Sequence, residues 1–211
     1  MAGILASSAG AAVSGVTPQE KAQARQALLV LSDFPKGWTS TSPLSSTSSV
    51  NSSPGIGTGA QMARCLGVSP SSFESNPPQV QSPTFTDLGD TVIAENSILV
   101  FRSTSFAHNE YAALTSPKAA GCLVTQIERQ QTTGTTIAPP PHISFEKLPA
   151  AKGAVSFGLS APLAGSISLS LVFSFFTHQQ FGDVVAAFSY RSGTNVQPLA
   201  QRLLNVARSR L

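Results

Sequence analysis

Between residues 165 and 193 apolar and polar positions alternate. Ile167, Leu169, Leu171, Phe173 and Phe175 recur at every second position, and Ser166, Ser168, Ser170 and Ser174 fall between them. A strand sends successive side chains to opposite faces, so this pattern predicts one buried apolar face and one small polar face. Val172 and Phe176 interrupt the polar face. A polar link over 177–183 follows, and a second alternating run then sets Val184, Ala186, Phe188 and Tyr190 on one side. Together the runs predict an antiparallel hairpin with a loop of several residues. The Ile167 to Phe175 face is expected to be core beneath the first and last helices. The face of Ser166, Ser168, Ser170 and Ser174 is expected either to meet water or to floor a ligand cleft closed by loops over 39–59 and 132–142.

The rest of the chain supplies the cover. Thr17-Pro18-Gln19-Glu20 reads as a helix start, with a capping threonine, a proline at the first helical position and a glutamate that completes a capping box. Ala24, Leu28 and Leu31, with Ala27 beside them, place the apolar stripe of a helix that runs on to Asp33. Phe34-Pro35-Lys36-Gly37-Trp38 ends it, because the residue before a proline resists the helical region and a glycine allows a turn. Trp38, the one tryptophan, is expected to plug the core under that turn. Residues 39–59 are a serine- and threonine-rich loop. A short helix over 59–66 should present Met62 and Cys65 to the core, and 68–82 is polar without periodicity. Strands are expected at 84–86, 91–94 and 97–103, helices at 104–114 and from Ser116-Pro117 onward, and strands again at 143–147 and 154–159. Asn195 should cap a last helix striped by Leu199, Leu203 and Val206. Strands grouped in runs point to an α+β fold with an antiparallel sheet of about five or six strands and helices packed on it.

Composition narrows the class. The 211 residues form one domain over 16–211 behind a tail at 1–15, which ends in small residues like the remnant of a signal peptide but lacks its basic start. Charged residues make up 11% of the chain, against about 25% in an ordinary domain, and serine and threonine supply the polar surface instead. The net charge of +3 gathers partly at Arg202, Arg208 and Arg210, which read as a solvated helix end. No dense basic stripe with interleaved aromatics is present, so nucleic acid is not an expected partner. No run of about 20 apolar residues occurs, so no spanning helix is expected. Cys65 and Cys122 form a disulfide if the chain is exported, or remain two buried thiols if it is not.

Candidate chemistry is thin. His108, His142 and His178 lie far apart, and no G-x-S-x-G elbow accompanies them, so a hydrolase is the least favoured reading. Asp87, Asp90 and Glu95 are too few for a calcium loop and read as a solvated turn. Glu110 and Tyr111 read as the polar face of a helix. No phosphate loop, metal set or cofactor motif is found, so catalytic residues, metal and cofactor are all expected to be none.

One larger pattern remains. A helix ending in Asp33-Phe34-Pro35-Lys36-Gly37-Trp38 precedes a serine-rich loop, Cys65-Leu66-Gly67 and Ser82-Pro83-Thr84-Phe85. Val100-Phe101-Arg102-Ser103, Ser116-Pro117-Lys118, Gly121-Cys122-Leu123 and a basic last helix follow. This resembles a family of exported actinobacterial proteins and lipoproteins that look like the extracellular sensor domain of mycobacterial Ser/Thr kinases. The resemblance implies a curved antiparallel sheet with helices on it, a cleft for a ligand, and an extracellular or cell-envelope location. The sheet rich in Phe and Leu and the lack of catalytic groups point to a non-enzymatic, sensor-like binding domain whose expected ligand is small and apolar. A protein-protein module of the envelope is the alternative, and a monomer is expected. The kinase sensors carry two disulfides, whereas this chain can form one, and it contains no kinase domain.

Overall fold

The computed structural model describes residues 15–41, 59–74, 76–89, 91–132, 144–162, 168–191 and 193–211. Residues 1–14 and 42–58, and with them Asp90, His142, Ser166 and Ile167, lie outside the described residues.

The chain begins with α1 (Pro18–Ala27), opened by the expected capping box. Thr17 Oγ1 accepts from the Glu20 N–H at 3.2 Å, and the Glu20 carboxylate accepts from the Thr17 N–H at 2.6 Å. There follow β1 (Thr39–Thr41), α2 (Gly59–Leu66), β2 (Gln79–Gln81), β3 (Thr84–Thr86) and β4 (Val92–Val100). Two helices, α3 (Thr104–Thr115) and α4 (Ala119–Thr132), separate these from β5 (Ser144–Leu148), β6 (Ala154–Pro162), β7 (Ser168–His178) and β8 (Phe181–Ser189). The last helix is α5 (Gln197–Arg208).

The fold is α+β, with one antiparallel sheet of eight strands among the described residues, more than the five or six expected. The order is β1-β3-β4-β8-β7-β6-β5, and β2 pairs with β4 beside β3. The surplus has a simple source. β1 and β2 are three residues each, too short to show any alternation. The two runs expected at 91–94 and 97–103, by contrast, are one strand. The β7–β8 link is also tighter than expected. His178 pairs with Phe181, which leaves Gln179-Gln180 as the turn, with Gln179 at a φ of 51°.

Both faces of the sheet are covered. Phe173 and Phe175 of β7, Val155 and Phe157 of β6, and Val184 and Ala186 of β8 pack under α2, α3 and α4, through Met62, Leu66, Leu114, Cys122 and Leu123. The opposite face carries Val172 and Phe176 of β7, with Val185, Ala187 and Ala94, and packs under α5 through Val196, Ala200, Leu203, Leu204 and Ala207. Beside it α1 sets Ala24 and Ala27 over Ile98, Val100 and Phe181. The expected cover is therefore reversed. The first and last helices lie on the serine side of β7, and the phenylalanine side belongs to the middle helices. Val172 and Phe176 interrupt the serine pattern because the face they occupy is also core.

Two further expectations shift. Helix α1 ends at Ala27, where Leu28 turns extended at ψ 148°, instead of continuing to Asp33. The break buries Leu29 completely and leaves Leu31 exposed. On α5 the buried residues are Ala200, Leu203, Leu204 and Ala207, one step round from the expected stripe. Trp38 sits half-buried over Phe34, with ring centroids 4.8 Å apart, and Phe34 stacks on Phe85 at 4.3 Å.

Candidate functional site

The antiparallel register aligns serines across the sheet. Ser144 of β5 pairs with Ser160 of β6, Ser160 with Ser170 of β7, and Ser170 with Ser189 of β8. Directly paired residues share a face, so the four hydroxyls lie in one line on the α5 side. Ser189 is fully buried, and its hydroxyl accepts from the Arg191 N–H at 3.1 Å. Toward the β5 edge the line is progressively more open.

A groove of about 130 Å³ runs over the open part. Its floor is Ser144, Glu146, Leu148, Gly158, Ser160, Ser170 and Val172, and its wall is the entry to α5, Thr194, Asn195, Val196 and Gln197. Val196 takes the N-cap position expected for Asn195, and Asn195 Oδ1, one residue earlier, accepts from the Gln197 N–H at 3.0 Å. Gly158 leaves room above the sheet, since a methyl group there would meet Leu148 at 3.2 Å. Hydroxyls, amides and one carboxylate, Glu146, share the surface with the apolar Leu148, Val172 and Val196. It can hydrogen-bond a small polar ligand, and it holds no nucleophile-base pair.

The four serines singled out in the sequence have four different settings. Ser166 lies outside the described residues. Ser168 is half-buried at the start of β7. Ser170 lines the groove. Ser174 is fully buried and bonded to Ser156 Oγ at 2.7 Å, so it is core and floors nothing accessible. Of the loops expected to close the cleft, only the ends are described. The 39–41 stretch is an edge strand at the other end of the sheet from β5, and 133–143 lies outside the described residues. Ser144 and Ser160 were missed in the sequence, because only strand register connects them to Ser170.

The remaining candidates scatter. His108 is exposed on α3 and His178 is exposed at the β7–β8 turn, on different elements. Among the described residues no group of three His, Cys, Asp or Glu side chains could hold a metal ion. Asp87 folds its own turn, accepting from the Thr91 N–H at 2.8 Å and the Val92 N–H at 3.0 Å, and Glu95 accepts from Thr84 Oγ1 at 2.9 Å. Glu110 departs from expectation. It is buried on α3, and loss of water pushes its carboxyl up to about 7. Asp183, which fell in the expected loop, is fully buried in β8. Burial pushes its carboxyl up to about 8, against the opposing effect of a hydrogen bond from Asn96.

Cys65 and Cys122 are joined, with Cα atoms 5.7 Å apart, and tie α2 to α4. The C-terminal arginines are engaged instead of free in solvent. Arg210 pairs through both terminal nitrogens with the Asp33 carboxylate and donates to the Leu28 carbonyl at 2.9 Å. Arg208 donates to the Lys152 carbonyl at 2.8 Å and lies over the Phe176 ring.

The chain matches no protein-family model and no curated protein. Among solved structures it is similar to the extracellular domain of PknH from Mycobacterium tuberculosis, at 9% identity and a TM-score of 0.36, over 71% of this chain and 90% of that one. At that score the two share an arrangement too loosely for function to pass from one to the other. Among the described residues no helix is long and apolar enough to cross a membrane.

Proposed function

We propose that this is an exported, sensor-like domain that binds a small polar ligand in the groove between the β5–β7 serines and the entry to α5. The observation that carries the reading is the register of Ser144, Ser160 and Ser170, which sets three hydroxyls in a row on the floor of a concave surface. Pockets that bind ligands are concave and orient them with a few polar groups. At about 130 Å³ the groove suits a small polyol or amide, or one end of something larger. The disulfide supports an extracellular or cell-envelope location, since such bonds persist in oxidising compartments. The reading assigns no reaction to the domain, and no cofactor or metal. Thermal-shift measurement against a library of sugars, polyols, small amides and lipids tests it. A polar compound should raise the melting temperature of the wild type and not of Ser170→Leu. If no compound does so, the ligand-binding reading fails.

The second reading, an envelope protein-protein module, draws on β5. It is the outermost strand at one end of the sheet, and one of its edges is unpaired among the described residues. A free edge can accept an extended segment of another protein. Cross-linking in intact cells from Lys147 would capture a protein partner under this reading and none under the first.

A further inference from the structure

Five polar groups meet beneath α1, outside the groove. Asn96 of β4 is fully enclosed and uses its whole side chain. Its Oδ1 accepts from the Leu29 N–H at 3.1 Å, and its Nδ2 donates to Asp183 Oδ1 and to the Val184 carbonyl at 3.1 Å. Its backbone N–H donates to Ser82 Oγ at 3.0 Å. Asp183 Oδ2 is buried and has no hydrogen-bond partner among the described residues. Since Oδ1 accepts from Asn96, a proton on this carboxyl belongs on Oδ2. Register places Asp183 between Ile98 of β4 and Phe176 of β7. Ile98 is covered by Ala24 and Ala27 of α1.

The bond to Leu29 is the point at which α1 stops. The chain leaves the helix after Ala27, turns Leu29 inward and gives its N–H to Asn96. The docking of α1 and the state of Asp183 are thus coupled through one amide side chain. We propose that the Asn96–Asp183 pair is a proton-controlled latch: a neutral Asp183 holds Leu29 and α1 on the sheet, and its ionisation frees them.

The surrounding charges leave Asp183 without a counterion. On α1, Glu20 is tied to the Thr17 N–H, Arg25 is exposed and Lys21 is half-buried. In the 28–33 segment Asp33 is paired with Arg210. On α5, Arg202 and Arg208 donate to backbone carbonyls of Asp33 and Lys152. Glu95 of β4 lies on the opposite face of the sheet and binds Thr84, and His178 is exposed at the end of β7. None of these bonds to Asp183. An ionised Asp183 must therefore reach water, which the cover of α1 over the neighbouring Ile98 keeps from it. The carboxyl's rise from 3.8 to about 8 agrees with this geometry. A group protonated when closed and ionised when open makes opening easier by about tenfold per pH unit between those two values, and no easier above them.

Hydrogen exchange of the full chain, read on the peptide spanning 18–33, tests the latch. From about pH 5 to about pH 7 the protection of α1 and Leu29, corrected for the intrinsic rate, should fall by about a hundredfold in the wild type and stay level in Asp183→Asn. The latch is overturned by level wild-type protection, by an equal fall in Asp183→Asn, or by a fall seen only in the central strands and not in α1. Should Asp183→Asn fail to fold, carbon-13 titration of the wild-type Asp183 carboxyl decides. The Leu29 amide signal must follow the same midpoint, and two separate midpoints overturn the proposal.

Discussion

Ser174 and Ser156 satisfy one another inside a layer of apolar side chains, so truncating either orphans the other. An unpaired buried hydroxyl costs about 1–3 kcal/mol. Ser174→Ala should therefore lower the unfolding free energy in urea by that amount, and the Ser156→Ala, Ser174→Ala pair should cost less than the sum of the single changes. Ser170 on the same strand should behave differently. It is half-buried at the groove, so Ser170→Leu should fold, cost about 1 kcal/mol or less, and fill the space a ligand would take. The buried carboxyls set the pH dependence. Asp183 and Glu110 are both raised, to about 8 and about 7, so the folded state holds their protons after the unfolded chain has lost them. Their contribution is fully favourable in acid below about pH 4. It erodes as pH rises toward those values and is level above them. Urea midpoints measured from about pH 4 to pH 9 should therefore fall with pH. Asp183→Asn should flatten the upper part of the fall and leave the part due to Glu110. Neither carboxyl was legible as buried. Asp183 follows Gly182 in a polar stretch, and Glu110 has an ordinary helical neighbourhood, so only packing shows that water is excluded from them.

At the level of elements, legibility followed the physics of each signal. Capping is local chemistry among four residues, and the start of α1 at Thr17-Pro18-Gln19-Glu20 was readable to the residue. The end of α1 was not, because it is fixed by Asn96, which lies 67 positions from Leu29. Alternation identified β7 and β8 but could not say which helices lie on which side, a choice made by register and crossover. The same link explains a substitution in the β7–β8 hairpin. A methyl group on Gly182 would lie 2.7 Å from the Phe101 ring and 2.9 Å from Phe175, so Gly182→Ala should cost about 1–3 kcal/mol by overpacking. Chemical denaturation measures it, and an unchanged midpoint would show that both rings can move aside. The Arg210–Asp33 pair fastens the chain's last turn to the segment after α1. Arg210→Ala should loosen that segment and lower stability by about 1–3 kcal/mol, since Asp33 would be left largely enclosed without its partner.

For the whole molecule, the class was legible and the layering was not. Low charge, two cysteines and strands in runs indicated an α+β domain with a disulfide. A sheet covered on both faces needs Val172 and Phe176 read as core, which a strand with one buried face does not allow. Of the groove, Ser170 was legible and its companions were not, since Ser144 and Ser160 join it only through strand pairing. The disulfide should matter globally. It closes a loop of 57 residues, so reduction should lower the unfolding free energy by about 4 kcal/mol, read as a shift in urea midpoint with and without reductant. The sheet order has a consequence for how the chain comes to be folded. β8, among the last elements made, lies between β4 and β7 and pairs with both. Until residues 181–189 leave the ribosome, β2–β4 and β5–β7 are two separate fragments with uncovered apolar faces, and Leu29 has a partner on only one of them. Non-local pairing of this kind is slow and comes late. A nascent chain should therefore stay open and sensitive to protease through most of its synthesis and close in one late step, which stalled chains ending before and after β8 would reveal.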